Sequence, residues 1–412
     1  MLNFHIEDFL NEEEGSIFNM LISYFKENNI KAYVVGGAVR DALLKIAPKD
    51  IDIAVEGDVE AIIKNIPKVE KTVYHERFKT SSVYFKNGIQ FDIIRCRKER
   101  YAQNGSLPEV YPSNIYDDLD RRDFTVNAIA YDIINGCIID PYQGVEHIKR
   151  RIIKKIKCNS YREDPTRIFR AIRYSVRYGF SLGDEDEILN CIQENVFSTI
   201  SFHRIMKEIL LMAGENRWQE NIKKCFSLGI FKPSKEFYFN NDLELEKKWA
   251  SLTCEEELKP NVSFNIRLCN IYLWMDDANI KNIFKNNSIL EKSLKKAFEQ
   301  YEHIEKKLME SKDNYDIFNI LYKCNIYHLE LLKYNRKLQY KLLNYMKLKD
   351  NYKDIKTKIL LDLGVEKGRL IRDIIEEVKK VNLNTLLDIK EDYLRNNIGE
   401  IIDGIKHKNT QF

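Results

Sequence analysis

Gly36, Gly37 and Arg40, followed by Asp50 and Asp52, are the first residues in this chain whose types and spacing could do chemistry. The run Tyr33-Val34-Val35-Gly36-Gly37-Ala38-Val39-Arg40 reads as a β-branched strand, a glycine turn and the start of a helix. A Gly-Gly pair in such a turn lets backbone N–H groups approach a phosphate closely. Arg40, in the first helical turn, can close over the same oxygens. Side chains alternate along the strand Asp50-Ile51-Asp52-Ile53, so Asp50 and Asp52 are expected on one face, about 6–7 Å apart. Mg²⁺ takes one or two carboxylates together with substrate phosphates, and this pair suits it. A lone Gly-Gly is usually just a turn, and a lone Asp-x-Asp is usually solvated. In this order and spacing they read together as a triphosphate-plus-metal site.

Several elements must position these residues. Ile17, Phe18, Leu21, Ile22 and Phe25 recur at helical spacing, predicting an amphipathic helix beneath the first strand. Asp58 to Ile66 reads as a short helix stopped by Pro67. Two alternating segments, Ser81 to Phe85 and Ile89 to Ile93, flank Asn87-Gly88 and predict a hairpin. Asp92 lies on the polar face of the second strand and becomes a third metal-ligand candidate if that strand neighbours Asp52; an exposed strand Asp is the equal alternative. Arg97 to Leu119 has little periodicity, with Asn104-Gly105, Pro108 and Pro112, and is expected to be a long loop.

Composition narrows the function classes. The chain has 412 residues and 44% hydrophobic content, enough for several domains with real cores. A net charge of +3 announces no polyanion partner by itself, so any basic surface must be local. The eight cysteines show no C-x-x-C pairs and the seven histidines do not cluster, which argues against a zinc site. Neither a signal peptide nor a membrane-spanning apolar run is read. The expectation is a cytoplasmic protein with no membrane association and no inferred protein partner.

The clearest basic concentration is Lys149 to Arg177, with eleven Lys or Arg and two acids, Glu163 and Asp164. Within it, Asp164 precedes Pro165 at a helix start, where an N-cap is the bland reading. Arg167, Arg170, Arg173 and Arg177 follow three or four apart, on one broad face of a solvated basic helix in that same reading. Upstream, Arg121-Arg122-Asp123-Phe124-Thr125-Val126-Asn127 sets an arginine pair beside strand residues. Asp123 could orient one guanidinium bidentately, with Thr125 and Asn127 as unranked polar supports. A structural ion pair is the alternative.

Together the runs GGAVRD, DIDIAVEG, RRDFTVNA and EDPTR resemble the motifs of the polymerase-beta-like nucleotidyltransferases. The resemblance is specifically to the class II tRNA nucleotidyltransferases and bacterial poly(A) polymerases, and it reaches to about residue 210. It implies that Gly37 and Arg40, beside Gly36, meet nucleotide phosphates, that Asp50 and Asp52 are catalytic and hold Mg²⁺, and that Arg122 contacts the nucleotide. It also implies that Asp164 and Arg167 read the base of CTP or ATP in place of a template, with Arg170 and Arg173 near the nucleotide. An Arg fork and an Asp acceptor suit C and A, which both carry an exocyclic amine. The segment from Arg97 matches the flexible loop that the family needs for A addition, including Arg97, Glu99, Tyr101, Gly105, Pro108 and Val110. Gln143 stands where the family usually has Gly, His147 where it has Asp, and His203 where it has Glu. The first two put a domain-joining contact in doubt, and the third is expected to affect packing.

The fold expected is α+β: a polymerase-beta-like nucleotidyltransferase head over 1–155, a mixed sheet with flanking helices. An all-α region follows: a neck at 156–212 with the nucleotide-selecting helix, a body at 213–288 and a tRNA-binding tail at 289–412. Ile289 to Met309, Ile317 to Lys347 and Leu360 to Val378 read as amphipathic helices. The expected activity is addition of CCA, or its terminal A, to tRNA with release of pyrophosphate. A poly(A) polymerase is the alternative, and a non-catalytic RNA-binding protein on the same scaffold is more remote.

Overall fold

A computed structural model describes residues 4–76, 80–234, 260–275, 292–333, 335, 337–352, 355–385 and 391–410. The chain divides into two compact units, Met1–Ile230 and Phe231–Phe412. The borders expected at 155 and 212 fall inside the first unit, and much of the 213–288 segment lies outside the described residues.

The first unit opens with helix α1 (Glu12–Glu27), whose start is closed by a reciprocal capping box between Asn11 and Glu14. Its elements then run β1 (Ala32–Val35), α2 (Gly37–Leu43), β2 (Asp52–Val55), α3 (Val59–Ile63), β3 (Lys71–His75), β4 (Thr80–Tyr84) and β5 (Gln90–Arg95). Next come β6 (Arg97–Arg100), β7 (Glu109–Pro112), α4 (Ile115–Asp120), β8 (Ala130–Asp132), β9 (Cys137–Ile139) and α5 (Gly144–Lys149). Five α-helices follow, α6 (Ser160–Glu163), α7 (Thr166–Tyr178), α8 (Glu185–Gln193), α9 (Phe202–Ala213) and α10 (Trp218–Ser227), with a small parallel pair of Ile152–Ile153 and Ser181–Leu182 beside them.

Seven strands form one mixed sheet in the order β3-β4-β5-β2-β1-β8-β9, with β2 and β5 parallel. Alternation sorts its two faces. Tyr33, Val35, Ala54 and Ala130 pack with Ile115 and Leu119 of α4 on one face. On the other, Phe18 of α1 stacks on Phe91 of β5 at 6.0 Å. Ala54 and Ile94 belong to the α4 face, so Asp52 and Asp92, two residues earlier on paired strands, share it too.

Three local expectations change. The β4–β5 hairpin forms, but a 3₁₀ turn over Lys86–Gly88 joins it in place of a two-residue Asn-Gly turn. The Arg97 to Leu119 segment is an antiparallel β6–β7 pair followed by α4 instead of a structureless loop. Asp50 lies before β2, because ladder pairing with β5 begins at Ile51, whose carbonyl accepts from Asp92 N at 3.1 Å. Asp50 is exposed and shares no strand with Asp52.

The second unit is helical where described. The helix expected from Ile289 is seen as Lys292–Glu310. The span Ile317 to Lys347 divides into Asn314–Tyr322, Ile326–Leu332 and Gln339–Asn351. Asn325 starts the middle piece through a capping box with His328. The span Leu360 to Val378 breaks between Thr357–Asp362 and Arg369–Thr385, where Gly364 and Gly368 take positive φ. No described helix is long and apolar enough to cross a membrane.

Candidate active site

A cavity of about 500 Å³ in the first unit is lined on the sheet side by Gly37, Arg40, Asp52 and Arg122, and on the helical side by Asp164, Arg167 and Arg170. These seven of the expected site residues come together. Gly36 lies directly behind: its φ is +69°, and a Cβ there would come within 2.4 Å of an Arg122 guanidinium nitrogen. Only glycine fits, because that guanidinium rests on the turn.

The arginines are held by carboxylates buried in the core. Asp118 is fully buried and accepts from Arg121 at 2.7 Å and from Arg122 at 2.9 Å, one guanidinium on each oxygen. Burial alone would raise its pKa; Arg122 and Arg121 outweigh burial and hold it below the usual carboxylate range. Asp123 does not orient this pair. One of its oxygens accepts from Arg170 Nε at 2.7 Å, and the other takes Phe124 N and Asn127 Nδ2, both at 2.9 Å. Asn127 is thereby ranked: its side-chain oxygen also accepts from Arg40, and its carbonyl accepts from Arg122 at 3.2 Å. Asp118 was not singled out from the sequence, although its i+3 and i+4 spacing to Arg121 and Arg122 was a legible signal.

Asp52 has an unusual electrostatic environment. Burial pushes its carboxyl up to about 6, against the pull of Arg122 and with the help of nearby Asp92, Asp50 and Asp118. Asp92 is its direct parallel partner, so β5 does neighbour β2. Asp50 and Asp92 line a separate hollow of about 360 Å³ with Lys49 and Gln90. Among the described residues, no three His, Cys, Asp or Glu side chains gather as a group that could hold a metal ion.

On the helical side, Asp164 does the work of a cap. Its Oδ1 accepts from Thr166 N at 3.1 Å and Thr166 Oγ1 at 2.6 Å, and from Arg204 of α9 at 2.8 Å. Arg167, only 6% exposed, donates to Ser160 Oγ at 2.6 Å and Tyr101 Oη at 3.2 Å. The β6–β7 tip is docked on the same helices. Gly105 N donates to Glu163 O at 2.9 Å, and Arg204 donates to Gly105 O at 2.7 Å. Arg204 therefore joins the hairpin tip to Asp164, a link with no local sequence signal.

Arg173 does not line the cavity. It is buried and paired with Glu208 at 3.3 Å, holding α7 to α9. With Arg167 and Arg173 both buried, α7 is not a solvated basic helix. His203 is exposed on α9, so no packing consequence follows from it. Gln143 adopts φ +59°, the left-handed conformation that glycine takes most readily. His147 lies on α5, its buried Nδ1 without a hydrogen-bond partner.

A mixed sheet with a glycine turn and a strand Asp opening on one cavity is the arrangement expected of a polymerase-beta-like nucleotidyltransferase head. A family model described as the poly A polymerase head domain matches residues 32–154. The A-adding tRNA nucleotidyltransferase of Aquifex aeolicus (strain VF5) is 27% identical over 382 residues, covering 87% of this chain and 45% of that protein. The CCA-adding enzyme of Geobacillus kaustophilus (strain HTA426) is 33% identical over 199 residues, 47% of this chain and 48% of that one. The chain thus spans about half the length of these curated relatives. The structure of the Thermotoga maritima CCA-adding enzyme complexed with tRNA shares the fold, with a TM-score of 0.68 at 23% identity over 98% of this chain and 97% of that one. The similarity is therefore to the poly A polymerase head domain over residues 32–154, and beyond it to proteins named as A-adding and CCA-adding enzymes.

Proposed function

We propose that the chain is a cytoplasmic, template-independent tRNA nucleotidyltransferase using CTP and ATP to build the CCA end, or its terminal A. The observation that carries this is one cavity with Asp52, Arg40 and Arg122 on one side and Asp164 and Arg167 on the other. The tRNA 3′-hydroxyl oxygen attacks the α-phosphorus and its proton passes to solvent, the bond to the β-phosphate oxygen breaks, and pyrophosphate leaves. Arg40 and Arg122 carry positive charge to the phosphates, while Asp164 accepts from the exocyclic amine of C or A. Asp52 and its parallel neighbour Asp92 offer oxygen donors only, and their repulsion is what a hard cation relieves; this pair, with the substrate phosphates, would hold Mg²⁺, and Asp50 adds negative charge nearby. When bound, Mg²⁺ supplies hydroxyl activation and charge neutralisation at the leaving group.

Addition of A draws on the Aquifex relative, an A-adding enzyme aligned along most of the chain. The relatives cited above are named an A-adding tRNA nucleotidyltransferase and a CCA-adding enzyme, which disfavours poly(A) synthesis. The test offers tRNAs lacking CCA, lacking the last two nucleotides or lacking only A, with CTP and ATP separately, and sizes the products. One added A on tRNA lacking only A is expected, and CTP use on tRNA lacking CCA separates CCA from A-only addition. Long A tails on any RNA, or no extension at all, contradict the proposal.

A further inference from the structure

Arg40 is held at two edges and over a face while still lining the cavity. The residue is 4% exposed, and its guanidinium donates through Nε to Asp41 at 2.9 Å and reaches the Asn127 side-chain oxygen with a second nitrogen. The remaining constraint comes from α7. The Tyr178 ring centroid lies 4.6 Å from Arg40 Cζ, and that of Tyr174 lies 5.4 Å away. Tyr178 Oη donates to Asp41 Oδ1 at 3.0 Å, the oxygen that also accepts from Arg40 Nε. The two rings stack at 6.3 Å and 27°. Arg177 lies 5.9 Å from the Tyr178 centroid and is itself held by Glu215.

We propose that Tyr178 is the positioning residue for Arg40, presenting its guanidinium to the triphosphate. A planar cation is attracted to an aromatic face, more so where water is excluded. With two edges tied by Asp41 and Asn127 and a face covered by Tyr178, Arg40 is held before a phosphate arrives, so little ordering remains for binding. Nothing about this grip depends on the base. The helix that begins beside Asp164 ends on the phosphate arginine about 20 Å further on. Base choice and phosphate affinity are therefore set at opposite ends of α7.

The inference rests on the nucleotidyltransferase reading, so the test uses probes that need no RNA and no turnover. Binding of inorganic tripolyphosphate, ATP and adenosine is measured by calorimetry on the full chain, wild type against Tyr178→Phe and Tyr178→Leu. Tyr178→Leu should weaken tripolyphosphate and ATP about tenfold, the equivalent of about 1.4 kcal/mol, with adenosine unchanged. Tyr178→Phe keeps the ring and should stay within about threefold of wild type, and the ratio of CTP to ATP affinity in the same calorimetry should not move in either variant. Should Tyr178→Leu fail to fold, Tyr178→Met, of similar length and without a π face, takes its place. Equal tripolyphosphate affinity in wild type and the Leu or Met variant overturns the inference, as does a Phe variant as weak as Leu. A wild type that binds neither tripolyphosphate nor ATP overturns the nucleotidyltransferase reading itself.

Discussion

The two sides of the cavity hold their functional groups differently. On the sheet side, Arg122 and Arg121 are clamped by Asp118, which is completely buried, and Arg40 is tied to Asp41 and Asn127. On the helical side, Asp164 and Arg167 are held mainly by hydroxyls, those of Thr166, Ser160 and Tyr101, together with Arg204. Hydroxyls donate or accept by rotation, so that side can adjust to different bases. A buried carboxylate with two guanidinium partners cannot. Under the proposed function, base-independent phosphate chemistry would fall to the sheet side and nucleotide choice to the helical side.

The largest effect is expected from Asp52→Asn. Transfer should fall on the order of 10³-fold or more, alike for CTP and ATP, because the lost group serves the reacting phosphate and not the base. Stability should move the other way. The folded state binds the Asp52 proton more tightly than the unfolded chain, so this carboxyl costs stability increasingly as pH rises towards about 6, and in full above it. With chelator present at pH 7.5, Asp52→Asn should therefore be more stable than wild type, by about 1–3 kcal/mol. Denaturant melts with and without Mg²⁺ check this, and Mg²⁺ should stabilise wild type more than the variant. Unequal losses for CTP and ATP would break the division between the two sides.

Next is Asp118→Ala, which leaves two guanidiniums without their buried partner. A loss of about 3–5 kcal/mol is expected, read as a lowered urea midpoint. Because the folded pKa of Asp118 is depressed, its contribution is complete above about pH 4 and is lost as pH falls through the folded value. Wild type and variant should therefore converge in strongly acid solution.

A smaller effect should come from Gly105→Ala. The residue has φ +76°, and a Cβ would lie 2.3 Å from Thr199 O, so the hairpin tip must lift from the helices. Arg204 then loses its Gly105 partner beside Asp164. The ratio of kcat/KM for ATP over CTP should change several-fold while the melting temperature moves little. A ratio that stays fixed would sharpen the account by confining nucleotide choice to α7.

Much of the sheet-side architecture was legible because strand alternation and the glycine turn are local signals. Gly36, Gly37, Arg40 and Asp52 fell where pattern put them. Asp50 did not, since alternation cannot show where ladder pairing begins, and here it begins one residue later. The β6–β7 hairpin was hidden for a different reason. Its inward face carries Arg97 and Glu99, paired with each other at 3.1 Å, and Glu99 also pairs with Arg121, so no apolar period-two pattern marks it. Arg173 looked equivalent to Arg170 on one helix face, and only the packing of α9, which brings Glu208 to Arg173, separates them. Arg204 and Tyr178 act through partners distant in sequence, which spacing rules do not reach.

Asp164 tests the central division most directly, because its cap role and its proposed base-reading role separate on substitution. Asp164→Asn keeps an oxygen for Thr166 and remains a good cap, while its amide reverses part of the hydrogen-bonding pattern offered to a base. Asp164→Ala removes both. The measurement is kcat/KM for CTP against UTP in wild type and the two variants, with melting temperatures alongside. The account predicts that the CTP preference narrows about tenfold or more in both variants, each lost base contact costing roughly 1–3 kcal/mol of discrimination, while stability falls only in Ala. An unchanged CTP-to-UTP ratio in both, with Ala alone destabilised by about 1 kcal/mol, would leave Asp164 a helix cap and contradict the assignment of nucleotide choice to this side.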